Sequence, residues 1–269
     1  MSGQHGRSYD DYRIVPRAGG KPVRHARATT IAGVLDEREA LEKWGKRMVA
    51  LGLSARPDLL ALVHVTPADK KQELNAICND ATEAAAGSRG ANMGNALHAL
   101  TERVDAGETV IVPPSLQRDV DAYVAELARH SIEILPEYIE RVCVNAKLDE
   151  PIAGTTDRIV RWQGALVVLD VKSAASMDFA WRKTAIQLSI YANADSLYDR
   201  EAGTHTDMPP VTRATGIVMH LPAGKGVCKA YAVDLRAGWD AAAQSVAVRQ
   251  WRKRRDLATP LPDAMSDAA

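Results

Sequence analysis

Apolar positions along the chain change period near its middle. Before about residue 132 they recur every three to four residues, as on one face of a helix; afterwards they alternate, as along a strand. The first half reads as four helices. These cover 29–53, opened by Thr29-Thr30; 67–86, opened by Pro67-Ala68-Asp69; 92–106, with Met93, Leu97, Leu100 and Val104 on one stripe; and 113–130, opened by Pro113-Pro114-Ser115. The second half predicts a strand at 139–146, strands at 152–162 and 165–173, a helix at 178–201, strands at 213–221 and 227–235, and a closing helix at 238–257. Residues 1–28, rich in Gly and Arg, read as a basic, flexible lead-in, and 259–269 as a disordered tail. No internal repeat is present. The fold class expected is α/β: a mixed central sheet flanked by helices over 132–258, after a mainly helical region over 29–131.

The two strands at 152–162 and 165–173 are joined by Gln163-Gly164, which reads as a β-hairpin. A two-residue turn pairs Trp162 with Ala165 and sets Asp157 opposite Asp170, with Lys172 on the face of Asp170 and Thr155 on the face of Asp157. A three-residue loop would slide the register by one and make the acids diagonal neighbours. Opposed like charges destabilise a strand pair, and a divalent cation is the economical compensation.

Composition narrows the class. With 269 residues, 46% of them hydrophobic, the chain can bury a sizeable core. Lys plus Arg and Asp plus Glu both total 34, so there is no global basic excess of the kind that coats nucleic acid, and any polyanion site must be local. Cys78, Cys143 and Cys228 form no CxxC pair, which suggests neither a disulfide framework nor a zinc knuckle. No apolar run is long enough for a bilayer span and residues 1–11 lack the apolar core of a signal peptide, so no membrane is expected and a cytoplasmic location is, the host's if the chain is phage-encoded.

Two acids on adjacent strands with a Lys two positions after the second can hold Mg²⁺ or Mn²⁺, polarise a phosphate and place an attacking water. The alternative for Asp170 and Lys172 is an ion pair at a strand end. Gln187 and Tyr191, four apart, project from one helix face, with Lys183 a turn earlier. That face can line a DNA channel or hold a half-buried Tyr beside solvated Gln and Lys. His98, off the apolar stripe of its helix, is a candidate ligand that Glu102 could orient, or a satisfied surface pair. Arg158, Arg161, Arg182 and Lys183 near this site, and Arg252 to Arg255 at the end of the last helix, can meet DNA phosphates; the macrodipole explains the terminal run as well. Glu137 and Glu140 can add a carboxylate or form structural ion pairs.

In sequence order these pieces are Gly94-xxx-His98, Gly154-xx-Asp157, Asp170-x-Lys172 and Gln187-xxx-Tyr191. That order resembles the PD-(D/E)xK nuclease superfamily, specifically its RecB-like exonuclease branch with phage and CRISPR-associated relatives. The likeness covers residues 91 to 200, and the start, with Ala28-Thr29-Thr30-Ile31 and Lys43-Trp44, looks like phage members. The resemblance implies a restriction-endonuclease-like core. It implies that His98, Asp157, Asp170 and the Val171 carbonyl hold the metal, that Lys172 acts in catalysis, and that Gln187 and Tyr191 support substrate and site geometry. Many relatives carry an iron–sulfur cluster on four cysteines; with three, dispersed, no cluster is expected here. The expected function is metal-dependent exonuclease action on linear single- or double-stranded DNA in phage or bacterial recombination, replication or repair. The alternatives are a structure-specific endonuclease on the same scaffold and a non-catalytic DNA-binding scaffold protein.

Overall fold

A computed structural model of the chain describes residues 11–37, 39–86 and 88–260. The expectations for residues 1–10 and 261–269 lie outside them. Among the described residues nine strands form one mixed sheet. Its elements are β1 (Asp11–Ile14), β2 (Val23–Arg27), β3 (Glu133–Asn145), β4 (Ile152–Trp162), β5 (Ala165–Lys172), β6 (Ser196–Asp199), β7 (Thr204–Asp207), β8 (Thr215–His220) and β9 (Lys229–Asp234). The main path runs β7-β6-β3-β4-β5-β8-β9, and the β1–β2 hairpin joins it through β2, parallel to β4. The helices are α1 (Ala28–Ala32), α2 (Glu39–Ala55), α3 (Pro57–Val65), α4 (Lys71–Ala86), α5 (Ser88–Asp105), α6 (Pro114–Arg129), α7 (Trp181–Ala192) and α8 (Leu235–Lys253). The chain is thus α/β, a mixed sheet flanked by helices, as its hydrophobic pattern implies.

Alternation along the strands sorts side chains into two cores. Val168 and Val218 join Ile31, Ile159, Leu188 and Leu235 beneath α1, α7 and α8. Their neighbours Val167, Leu169 and Ile217 join Leu97, Val120, Tyr123 and Leu127 beneath α5 and α6. Each such fully buried aliphatic side chain contributes about 1.5–3 kcal/mol. α6 shows how the sequence achieves this. Pro114 starts it, and Leu116, Val120, Tyr123 and Leu127 fall on one buried stripe. The stretches on either side of residue 132 therefore share the second of these cores, α5 and α6 forming a layer packed against the sheet.

The hairpin turn is the two-residue one. Gln163 and Gly164 both have positive φ, 49° and 78°, and Trp162 pairs with Ala165. Such primed turns match the twist of the strands, and Gly164 supplies the left-handed conformation without steric cost.

Four expectations need correction. The segment 29–53 is not one helix: α1 ends at Ala32, a 3-10 turn covers Gly33–Leu35, and Asp36 is extended. The break lets α1 sit in the core, with Ala28, Ile31 and Ala32 buried, while α2 leaves to pack on α3 and α4 around Leu59, Ile77 and Ala81. α3 itself was hidden between predicted helices. The helix expected over 178–201 stops at Ala192, where Asn193 Nδ2 donates to the Ser189 carbonyl. Ile190, Ala194 and Leu197 keep helical spacing, yet Leu197 and Tyr198 enter different cores, as alternating strand residues must. Finally, residues 11–28 are no loose lead-in: Ile14 is buried against Val142, Ala153 and Tyr198.

Among the described residues no single helix is long and apolar enough to cross a membrane; the bent pair Leu41–Ala55 and Pro57–Val65, meeting at 105°, passes by length and composition only.

Candidate metal and active site

The β4–β5 ladder stops at Arg158–Leu169, one pair short of the two acids. On its other edge β5 pairs with β8 through this stretch, placing Asp170 beside Val218 and Lys172 beside His220. Two carboxylates in direct opposition would repel, and the strands part there. Asp157 occupies the opening: its Oδ2 accepts the Val171 N–H at 2.8 Å, replacing a ladder bond. Lys172 Nζ donates to Asp170 Oδ1 at 3.0 Å. The ammonium is also 2.8 Å from Asp170 Oδ2, but too obliquely for a hydrogen bond, so that buried oxygen has no hydrogen-bond donor.

Two further side chains close on Asp157. α5 brings His98, whose Nε2 lies 3.1 Å from Glu140 Oε1 and 3.8 Å from Asp157 Oδ1. β3 brings Glu140: the flanking pairs Ile139–Arg158 and Arg141–Thr156 set it across from Asp157. Glu140 holds φ at 50°, a left-handed conformation that costs a non-glycine residue on the order of 1–3 kcal/mol and is found preferentially at functional sites. One ligand atom each from His98, Glu140 and Asp157 lies within 4.8 Å of the others. An imidazole nitrogen with two carboxylate oxygens is a donor set suited to a divalent cation.

The electrostatics of the site fit that reading. Burial first, and then the charge of Asp170, push the Asp157 carboxyl up to about 7. His98 is raised, chiefly by its hydrogen bond to Glu140 and also by the charge of Asp157, against the opposing effect of burial. Excess negative charge is thus gathered in one crevice and held there partly by protons, which a cation can replace.

Beneath the site α7 presents Gln187 and Tyr191, joined by a 3.1 Å hydrogen bond from Gln187 Nε2 to the phenol oxygen. Both are buried, Tyr191 to 2% exposure, so neither lines an open channel nor is solvated; Tyr191 packs against Gly154, on the strand that carries Asp157. Burial holds the Tyr191 phenol well above its ordinary range, in the neutral form. The two motif glycines mark close approaches. A Cβ on Gly154 would lie 2.7 Å from Tyr191 Cε1, and one on Gly94 2.6 Å from Ser173 Oγ.

Several sequence-derived assignments change. Arg158 is 0% exposed and ion-paired to Asp105 at 2.7 Å, so it cannot touch a DNA phosphate. The ring of His98 is bonded to Glu140 rather than to Glu102. Asp170 stands outside the three-residue cluster, paired with Lys172, and Glu140 stands inside it. Thr155 bonds Tyr12 instead of facing the site. Glu137 is exposed, without a hydrogen bond or ion pair among the described residues. Arg182 and Lys183 remain on the surface, facing Glu37 at 3.4 Å and Asp36 at 3.8 Å. Arg161 is half exposed against Glu133, and the terminal basic run is ion-paired, Lys253 with the distant Glu150 and Arg254 with Asp256. The sequence offers both Glu137 and Glu140 as an added carboxylate and cannot choose between them, because β3 inserts four residues, 135–138, where β4 has one, which breaks any count of alternation.

No protein-family model matches this chain, and no curated protein matches it. Fourteen solved chains match in structure. One of them, described as "Crystal structure of SSO0001", aligns at a TM-score of 0.28 with 14% identity, covering 48% of this chain and 57% of that one, a little over half its length. A likeness at that level carries no argument about this chain.

Proposed function

We propose that this protein is a metal-dependent deoxyribonuclease of the PD-(D/E)xK superfamily, in its RecB-like exonuclease branch, hydrolysing phosphodiester bonds of linear DNA. The observation that carries the reading is the convergence of His98, Glu140 and Asp157 within 4.8 Å, next to a buried Asp170 whose Oδ2 lacks a donor and whose partner is Lys172. His98, Glu140 and Asp157 would hold the ion, Mg²⁺ or Mn²⁺, with Asp170 and the Val171 carbonyl as further oxygens. Bound there, it supplies Lewis-acid polarisation of a phosphate oxygen and a lowered pKa for a coordinated water.

The chain's own residues supply the rest. Lys172, held by Asp170 with its side chain 27% exposed, can place an incoming water and offset charge developing on the phosphate. Tyr191, kept neutral and fixed by Gln187, stiffens the floor under Gly154 and so the strand that carries Asp157. Arg182 and Lys183 provide exposed cations for the DNA backbone.

The test is nucleotide release from linear DNA with Mg²⁺ or Mn²⁺. Asp170→Ala and Lys172→Ala should each reduce it by at least a hundredfold, and wild-type rates in either would refute the assignment. Equal cleavage of circular DNA would identify an endonuclease instead.

A further inference from the structure

Behind the site lies a buried ion pair that the chemistry above does not use. Arg158 follows Asp157 in β4 and has no exposed side-chain surface. Its Nε donates to Asp105 Oδ2 at 2.7 Å, and the same oxygen accepts the Tyr123 hydroxyl at 2.7 Å. Its second amino group donates to Thr101 Oγ1 at 3.3 Å, and Thr101 in turn donates to the His98 carbonyl at 2.9 Å. Thr101 and Asp105 lie one and two turns beyond His98, on the same face of α5.

A buried charge pair of this kind is a poor device for stability alone. Removing both charges from water is costly, apolar packing often serves as well, and here Arg158 Nη1 still has no hydrogen-bond partner. What the pair adds is a fixed geometry between the elements it joins: α5 with His98, α6 with Tyr123, and β4 with Asp157. Because guanidinium hydrogen bonds are directional and this one is shielded from solvent, α5 cannot slide or roll on the sheet without breaking them.

We propose that the Arg158–Asp105 pair, with Thr101 and Tyr123, is a positioning device that locks α5 to β4 so that His98 meets Asp157 and Glu140 at ion-holding distance. The inference rests on the metal-site reading given above. Arg158 touches neither substrate nor ion; it acts through the helix that carries His98.

Mn²⁺ titration of the full chain by calorimetry, with thermal unfolding alongside, tests this. Arg158→Met combined with Asp105→Asn removes both charges together, leaving no lone buried ion, and should keep a cooperative transition while weakening Mn²⁺ binding at least tenfold. The milder Thr101→Val should weaken it about threefold. Leu59→Ala, which lowers stability from the separate cluster of α2, α3 and α4, should leave Mn²⁺ affinity unchanged and so separates positioning from general destabilisation. A folded double variant that binds Mn²⁺ as tightly as the wild type overturns the proposal. Should the double variant not fold, wild-type affinity in both Thr101→Val and Tyr123→Phe overturns it equally. A wild-type protein that takes up no Mn²⁺ refutes the metal site itself, an outcome distinct from variants that bind normally.

Discussion

Asp157 concentrates the chemistry of the site in one carboxyl. It takes a main-chain N–H from Val171, faces His98, and is pushed up to about 7 by burial and by Asp170. An ion held as proposed would have to displace its proton, so Mn²⁺ affinity should rise about tenfold between pH 6 and pH 8 and level off above, with proton release visible when calorimetry is repeated in buffers of different ionisation heat. The sign for stability runs the other way. Asp157 is raised from 3.8 and His98 from 6.5, so the folded metal-free protein binds extra protons. Their contribution to stability is lost as pH rises through about 7, and for Asp157 it grows as pH falls from there toward 4. Added Mn²⁺ should restore the melting temperature at pH 8; no recovery would argue against an ion at these residues. The motif glycines differ in a way the sequence hides. Gly154→Ala drives a methyl into the rigid, buried ring of Tyr191 and should cost about 1–3 kcal/mol in chemical denaturation. Gly94→Ala meets only the Ser173 hydroxyl, which can rotate away, and should cost less.

At the scale of elements, the site is assembled at a place where strands diverge. β4 pairs with β3 along one edge and, along the other, with β2 at Ile152 and Ala153 and with β5 from Arg158 onward; β5 pairs with β8 on its far edge, and the β4–β5 ladder ends before the acids. The opening admits a side chain from α5, and the irregular stretch of β3 delivers Glu140 from the opposite edge. The β1–β2 hairpin belongs to this frame. It anchors β4 at Ile152 and Ala153, just before the motif glycine. Ile14→Ala removes its buried anchor and should lower unfolding free energy by about 2–4 kcal/mol by denaturant titration. A change under 0.5 kcal/mol would mean that the hairpin is dispensable.

For the whole molecule, a formal charge of zero means that the DNA binding proposed above would have to come from local cations. Arg182 and Lys183, their side chains 71% and 43% exposed, are held only by surface ion pairs, which contribute little and yield readily to phosphate. The double variant Arg182→Ala, Lys183→Ala should therefore reduce the slope of log affinity against log salt by about 2 in fluorescence anisotropy without divalent ions. An unchanged slope would put the phosphate contacts elsewhere.

What the sequence by itself determined was local: the helices and strands with strong periodicity, the two-residue turn at Gln163-Gly164, and through it the register that aligns Asp157 with Asp170. A hairpin register depends on a few neighbouring residues, so it can be counted. Tertiary structure alone decided the rest. Glu140 reaches the site across an irregular ladder that no alternation rule crosses, and Arg158, charged and next to an acid, is drawn inward by Asp105 from a helix 53 residues away. Burial is a property of what other segments cover, and neither the end of α7 at Ala192 nor the inward turn of Arg158 can be read from the residues beside it.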